Sequence, residues 1–266
     1  MMMKSALLLF AVAAAAQQPY QDVTYASGKL RIQAHLYKPS GSGPFAVVIY
    51  NHGSRQGAER RPTPFPYVGN MLAAAGYVVL VPERRGYGTS DGATYSEEVG
   101  NDRGALFVRR MRDETGDVLA ALDYLKTLPY ADTKRVGIMG WSLGGIVSVF
   151  AAGQSTAFRA VIDQAGASLT WNGSPEMQKA MTDAASRVKA PLLGLVAQND
   201  RTTKAVEAVV HEAEKHTTAK LIIYPTYTPP PDLHIGNVAP GHAIFAAPGA
   251  KIWQGDVTKF LGEYLR

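Results

Sequence analysis

Residues 140–145 (GWSLGG) constrain the fold of this chain more than any other stretch. The short run 135–139 (RVGIM) precedes them, and the apolar run 146–152 follows them. A buried strand, a serine with glycine two residues before and two after it, and a helix form the sharp turn called a nucleophile elbow. The pattern predicts that Ser142 stands at the top of a sheet as a nucleophile. Because the chain has 26 glycines, an ordinary strand-to-helix turn is the alternative.

The amino-terminal residues are typical of a secretory signal peptide. Lys4 gives a positive start, residues 5–13 are small or apolar, and residues 14–16 (AAA) offer a cleavage site. The apolar stretch is too short to cross a bilayer. We therefore expect residues 1–16 to be removed, the protein to be exported to the periplasm or the medium, and residues 17–266 to form one domain. A retained amino-terminal anchor is the alternative, and no later stretch predicts stable membrane insertion.

Composition excludes several kinds of site. The chain has no cysteine, which rules out a thiolate nucleophile, a thiolate metal site and disulfide bonds. Its formal net charge is +5, but basic and acidic residues are interspersed, as in residues 102–114. Such mixing is typical of a solvated surface rather than of a nucleic-acid interface. The roughly 250 residues after the signal suit one α/β domain with a core that needs no cross-links.

Strand and helix patterns alternate along the chain. A hairpin comes first, because residues 27–28 (SG) separate two strand-like runs. The later apolar runs indicate strands buried on both faces of a mainly parallel, doubly wound sheet. The fold class is therefore α/β, with an antiparallel amino-terminal strand pair and no large lid domain. Three stretches, 84–114, 165–189 and 225–251, are expected to be irregular and functional. The predicted strands are 22–26, 30–37, 45–50, 77–81, 135–139, 160–162, 191–197 and 220–224, and the predicted helices are 67–75, 117–128, 146–152, 203–216 and 253–264.

Candidate partners for the serine follow it along the chain. A serine hydroxyl needs a base, and the base works best when a carboxylate orients it. In this architecture the acid and then the histidine are expected after the serine. His242, between the last predicted strand and the last predicted helix, is the expected base, and His234 in the same loop is its rival. Asp200, just after the strand 191–197, is the expected acid, and Asp163 is the alternative.

An oxyanion formed by attack of Ser142 needs two hydrogen-bond donors. The backbone N–H of Leu143, the residue after the serine, is the expected first donor. The second should come from the loop after the strand 45–50, where residues 51–54 read NHGS. Because the glycine of this loop lets the backbone turn, the N–H of Ser54, or that of Arg55, is expected to face the site.

With these residues in place, the chain resembles an α/β-hydrolase. Within that superfamily it is most similar to the dienelactone hydrolase and prolyl-oligopeptidase-like branch. The resemblance covers nearly the whole chain after the signal and depends on residues 51–54, 85–92 (RGYGTSDG) and 140–145, the helix from 117, Asp200 and residues 241–242 (GH). Dienelactone hydrolases proper have a cysteine nucleophile, whereas this chain has a serine. Dienelactone chemistry is therefore not carried over.

The motifs and the resemblance together imply a serine hydrolase that cleaves carboxylic esters through an acyl-enzyme. Ser142 would attack the carbonyl, His242 would take the proton, and Asp200 would orient the imidazole. A small serine peptidase or amidase of prolyl-oligopeptidase-like type is the alternative. No cofactor and no metal are expected, and the expected partner is a small-molecule ester. Trp141 and Trp171 are candidate lining residues of an apolar acyl or aryl pocket.

Overall fold

The computed structural model describes residues 19–234 and 236–266, so the predicted signal peptide lies outside the described residues. Eight strands form one sheet. In chain order they are β1 (Gln21–Ser27), β2 (Leu30–Tyr37), β3 (Phe45–Asn51), β4 (Val78–Glu83), β5 (Ala131–Trp141), β6 (Phe158–Gln164), β7 (Leu192–Ala197) and β8 (Ala219–Tyr224). Their order across the sheet is β1-β2-β4-β3-β5-β6-β7-β8. The β1–β2 and β2–β4 pairs are antiparallel, and the other neighbours are parallel. The predicted mainly parallel sheet with an antiparallel amino-terminal pair is confirmed.

Helices pack on the sheet in two groups. In chain order the α-helices are α1 (Pro66–Ala74), α2 (Tyr95–Glu98), α3 (Ala105–Lys126), α4 (Leu143–Gln154), α5 (Pro175–Ala185), α6 (Lys204–Glu214) and α7 (Ala250–Tyr264). α3, α4, α5 and α6 contact one another in sequence, while α1 contacts α7. The central strands β3, β4 and β7 bury nearly all their residues between these layers. None of the helices in the described ranges is both long and apolar enough to cross a membrane.

Two stretches predicted to be irregular contain helices. α3 begins at Ala105 rather than at Asp117, and α5 lies within the stretch 165–189. The first half of α3 was missed because its inward face carries charge: Arg110 and Glu114 are fully buried and form an ion pair with each other. Apolar periodicity, which treats charged residues as solvent-exposed, therefore breaks down over this part of the helix.

The carboxyl ends of the parallel strands meet at one edge of the sheet. β3 ends at Asn51, β4 at Glu83, β5 at Trp141, and β6 and β7 at Gln164 and Ala197. In open α/β sheets this edge is where ligands bind, because the loops that follow the strands converge there. The fold thus brings residues from distant parts of the sequence to the turn that carries the candidate nucleophile.

Candidate active site

Ser142 lies on the turn between β5 and α4 in a strained backbone conformation. Its φ and ψ are 60° and −117°, a region that residues other than glycine adopt only when the surrounding structure enforces it. A Cβ at Gly144 would lie 1.9 Å from the carbonyl oxygen of Asn51, and a Cβ at Gly140 would lie 2.3 Å from that of Gly144. The prediction of a strand, a sharp turn with small flanking residues and a helix is therefore confirmed.

His242 and Asp200, 42 positions apart, form a buried hydrogen bond. The Nδ1–H of His242 donates to Oδ2 of Asp200 over 2.8 Å, and the imidazole is 2% exposed. A carboxylate on Nδ1 sets the tautomer in which Nε2 is the basic nitrogen. That Nε2 has no hydrogen-bond partner among the described residues. His242 lines the same cavity as Ser142, so the structure brings the three predicted residues to one place.

The loop that carries His242 packs directly on the turn that carries Asp200. The Gly241 N–H donates to the carbonyl oxygen of Asn199 over 3.2 Å. A Cβ at Gly241 would lie 2.5 Å from the backbone of Asn199 and Asp200, so this approach requires glycine. The Asn199 side chain also bonds both backbone groups of Tyr227. Sequence reasoning missed Asn199, because a polar loop residue gives no sign of a partner 28 positions away.

The rival base and the alternative acid make other contacts. His234 is exposed, and its Nδ1 contacts the carbonyl oxygen of Asp232 at 3.1 Å. Asp163 is fully buried and accepts a hydrogen bond from the Gly166 N–H at 2.8 Å. Burial raises the pKa of Asp163 to about 7, because an ionised carboxylate is costly away from water. Asp163 therefore bonds its own loop, whereas Asp200 bonds the buried histidine.

The loop after β3 lies against the elbow. A Cβ at Gly53 would be 3.2 Å from the Cβ of Ser142, and Ser54 lines the same cavity as Ser142. Within the described residues, the Ser54 N–H makes no hydrogen bond. Leu143 is the first residue of α4, so its N–H has no partner inside the helix. Both predicted oxyanion donors therefore lie beside Ser142 with N–H groups free to bind an anion.

The neighbouring His52 is neutral and structural. Its ring is fully buried, and its Nδ1 contacts the Gly53 carbonyl oxygen at 2.7 Å. Burial, together with the guanidiniums of Arg84 and Arg55, holds the pKa of His52 well below its ordinary value. A buried imidazole whose protonated form is disfavoured in this way is a poor general base near pH 7. His242 is therefore the better base of the two.

Two adjoining cavities open at Ser142. The smaller, about 210 Å³, has mostly aliphatic and aromatic walls and reaches His242; we call it the apolar lobe. The larger, about 730 Å³, reaches Leu143; we call it the arginine lobe. Trp141 lines the apolar lobe as expected, but Trp171 is a buried residue that lines neither cavity. His234, the rival base, borders both lobes. The apolar side chains of the apolar lobe are Trp141, Leu169, Leu233, Val238, Ala243 and Ala246, and the polar residues of the arginine lobe include Arg55, Gln56, Tyr95, Arg103, Thr170 and Arg201.

The arginine lobe is electropositive. Arg103 donates to the carbonyl oxygen of Asp102 over 2.8 Å, and Arg201 donates to that of Asn237 over 3.2 Å. Neither guanidinium forms an ion pair with a described carboxylate, and no aspartate or glutamate lines the lobe. Sequence reasoning missed both residues, because a loop arginine gives no sign of the cavity it will face. Across the described ranges, no cluster of histidine and acidic side chains is arranged to hold a metal ion.

The fold is that of an α/β-hydrolase. The family model of the dienelactone hydrolase family matches residues 32–228, and the chain belongs to that family. Protein usf of Aquifex pyrophilus is 25% identical over 180 residues, which cover 68% of this chain and 71% of that protein. Family and fold together thus identify a hydrolase.

Solved structures show the same fold in enzymes of two kinds. The acylaminoacyl peptidase of Pyrococcus horikoshii superposes with a TM-score of 0.68 at 20% identity, covering 92% of this chain but 41% of the peptidase chain. An esterase of Pyrococcus furiosus superposes with a TM-score of 0.67 at 17% identity, covering 96% of this chain and 97% of the esterase chain. At these identities the likeness concerns the fold alone.

Proposed function

We propose that this protein is a serine esterase in which Ser142 is the nucleophile, His242 the general base and Asp200 the acid that orients the histidine. The observation that carries the proposal is the buried Nδ1–Oδ2 hydrogen bond of 2.8 Å between His242 and Asp200, on the cavity that holds a strained Ser142. A carboxylate in this position orients the ring and stabilises the imidazolium that forms during attack.

The reaction proceeds in two halves. Ser142 Oγ bonds to the ester carbonyl carbon while its proton passes to His242 Nε2, and the developing oxyanion accepts hydrogen bonds from the N–H groups of Leu143 and Ser54. The carbon–oxygen bond to the alcohol then breaks, and the alcohol leaves with the proton from Nε2. Water attacks the acyl-enzyme by the same route, which releases the carboxylic acid and restores Ser142.

The two lobes orient the substrate. Because the general acid must reach the leaving oxygen, the alcohol or phenol occupies the apolar lobe, which His242 lines. The acyl group then extends into the arginine lobe beside Leu143. Arg103 and Arg201 favour an acyl group that carries a negative charge, because a charge-assisted hydrogen bond replaces their contacts with neutral carbonyls.

Ester cleavage is favoured over aminopeptidase activity by the charge of the site. A peptide with a free amino terminus needs a carboxylate to receive its ammonium group, and no aspartate or glutamate lines either lobe. Hydrolysis of amides with a blocked amino terminus is the second candidate, since the P. horikoshii acylaminoacyl peptidase shares the fold. That enzyme is more than twice as long as the matched region, so its activity carries over to this chain only as a candidate.

One set of assays tests the proposal. Wild type should turn over p-nitrophenyl butyrate and should not cleave aminoacyl or acylaminoacyl p-nitroanilides. Ser142→Ala should lower kcat by about 10⁴–10⁶-fold, and a fluorophosphonate probe should label wild type but not this variant. Near-normal turnover by Ser142→Ala would refute the assignment. Faster cleavage of the acylated nitroanilide than of the ester would favour the amidase.

The proposed enzyme acts outside the cytoplasm. This part of the proposal depends on residues 1–16 alone, whose charged start, apolar run and alanine triplet match a signal peptide. Expression of the full chain in a bacterial host should give exported protein that begins at Gln17, as measured by amino-terminal sequencing. Protein that keeps Met1 and stays in the cell would refute it.

A further inference from the structure

A buried carboxylate behind the site holds both ends of the loop that follows Ser54. Glu83, the last residue of β4, is 0% exposed. It accepts hydrogen bonds from the Arg55 side chain through both carboxylate oxygens, with Nη1 to Oε1 at 3.0 Å. It also accepts the Thr63 N–H at 2.5 Å and contacts His35 Nε2 at 3.2 Å. Residues 55 and 63 are thereby fixed to a single side chain.

The next residue of the chain holds the other side of the same loop. Arg84 is fully buried, pairs with Glu114, and donates from Nη2 to the carbonyl oxygen of His52 over 2.9 Å. Arg84 therefore holds the backbone of His52, Glu83 holds the side chain of Arg55, and Ser54 lies between these two residues. The backbone of Ser54 has no hydrogen-bonded secondary structure of its own to fix its direction.

The geometry points to Glu83 as a positioning residue that acts through Arg55 to aim the Ser54 N–H at the oxyanion. This inference rests on the proposed function, since it assigns the oxyanion site of that reaction. A buried carboxylate strongly favours a conformation that keeps its cation, because removal of the partner leaves an uncompensated charge. The planar guanidinium fork also restricts Arg55 to a narrow range of orientations. The side chain next to the donor is thus held in one place.

The contacts of Arg55 favour a role in positioning the loop over direct binding of the substrate. Nη1 is shared between Glu83 and the carbonyl oxygen of Arg61, and Nη2 bonds Glu83. The side chain is 10% exposed although it borders the arginine lobe. Glu83 lines neither lobe. Besides Arg55 and Thr63 it contacts the buried ring of His52, whose Nε2 lies 3.8 Å from Oε2, so a substitution at Glu83 reaches the reaction through the loop.

Two variants test the inference on p-nitrophenyl butyrate. Glu83→Gln keeps the shape of the side chain but removes its charge, and Arg55→Lys keeps the charge but removes the fork. Each should lower kcat by about 10–100-fold, part of the 10²–10³-fold effect of losing one oxyanion donor, while KM changes less than about threefold. Affinity for an alkyl boronic acid, whose adduct with Ser142 mimics the oxyanion, should fall by the same factor as kcat. The double variant should be no worse than the poorer single variant, because both changes remove one interaction.

Arg61→Met is the matched control, because it removes an exposed arginine of the same loop whose side chain makes no hydrogen bond to the described residues. It should keep wild-type kcat and KM; a loss as large as that of Arg55→Lys would overturn the inference. Unchanged kcat in folded Glu83→Gln and Arg55→Lys, or a raised KM with unchanged kcat, would also overturn it. If Glu83→Gln does not fold, Arg55→Lys decides on the same measurements. Ser142→Ala, assayed alongside, distinguishes a failure of this inference from a failure of the proposed function. An active Ser142→Ala would refute the proposed function. An inactive Ser142→Ala, together with wild-type kcat in Glu83→Gln and Arg55→Lys, would refute this inference alone.

Discussion

Replacement of Gly144 by alanine tests the elbow most directly. The added Cβ would lie 1.9 Å from the carbonyl oxygen of Asn51 and 2.5 Å from its carbonyl carbon. Real Cβ atoms do not approach other atoms closer than 3.0 Å, so the two backbones must separate by at least about 1 Å. No rotamer change can relieve this contact, because both partners are backbone.

The free-energy cost of separating the backbones of Gly144 and Asn51 depends on the contacts that hold β3 and α4 together. Asn51 is the last residue of the central strand β3, and its side chain donates to Ser148 of α4 over 3.0 Å. Overpacking a well-filled core costs about 1–3 kcal/mol, and occasionally more; with strand and helix both fixed, we expect about 3 kcal/mol. A displacement of about 1 Å at Ser142 should lower kcat/KM by about 10²-fold in whatever fraction folds.

Urea unfolding and turnover of p-nitrophenyl butyrate measure the two effects separately. Gly255→Ala is the control, because a Cβ at this exposed position of α7 meets nothing within 4 Å. It should leave activity unchanged and stabilise the protein by about 0.5–1 kcal/mol through the higher helix propensity of alanine. A Gly144→Ala protein with wild-type stability and activity would show that the elbow is not packed as described and would refute the reasoning.

Three further predictions concern charge. Asp200→Asn should leave the fold intact and lower kcat about 10⁴-fold, measured by steady-state kinetics on the same ester; a loss below tenfold would count against Asp200. Burial raises the pKa of Asp163 from 3.8 to about 7 in the folded protein. Between these pH values the folded state binds more protons than the unfolded state. The free energy of unfolding therefore falls as pH rises from about 4 to 7. Asp163→Asn should therefore stabilise the protein above pH 7, by at most about 4 kcal/mol, and much less at pH 4; urea unfolding with equal gains at both pH values would contradict this. Arg201→Gln should lower kcat/KM for the hemisuccinate of p-nitrophenol by about tenfold and leave the butyrate unaffected, and an equal effect on both esters would contradict a role in charge recognition.

The elbow and its neighbours were accessible from sequence because their constraints are local. Gly140 and Gly144 are close along the chain to Ser142, and the steric rule that requires them depends on a single strand-to-helix turn. Chain order then pointed to Asp200 and His242, each of which lies between a strand and the next α-helix of the alternating architecture. The structure places these residues together, since a parallel sheet brings the ends of its strands to one edge.

What sequence reasoning missed was buried charge. Because Arg110 and Glu114 are charged, a search for apolar periodicity does not find the first half of α3. Glu83 likewise gives no sign in the sequence that it is buried. Only the folded structure shows that Glu83 is buried and that Arg55 forms an ion pair with it. The sequence also does not show which arginines lack a partner. Arg103 and Arg201 have no carboxylate partner in the described chain and so remain available to a ligand. Ion pairing depends on neighbours in three dimensions. In this protein it distinguishes Arg55, which is bonded to the buried Glu83, from Arg103 and Arg201, which border the arginine lobe without a carboxylate partner among the described residues.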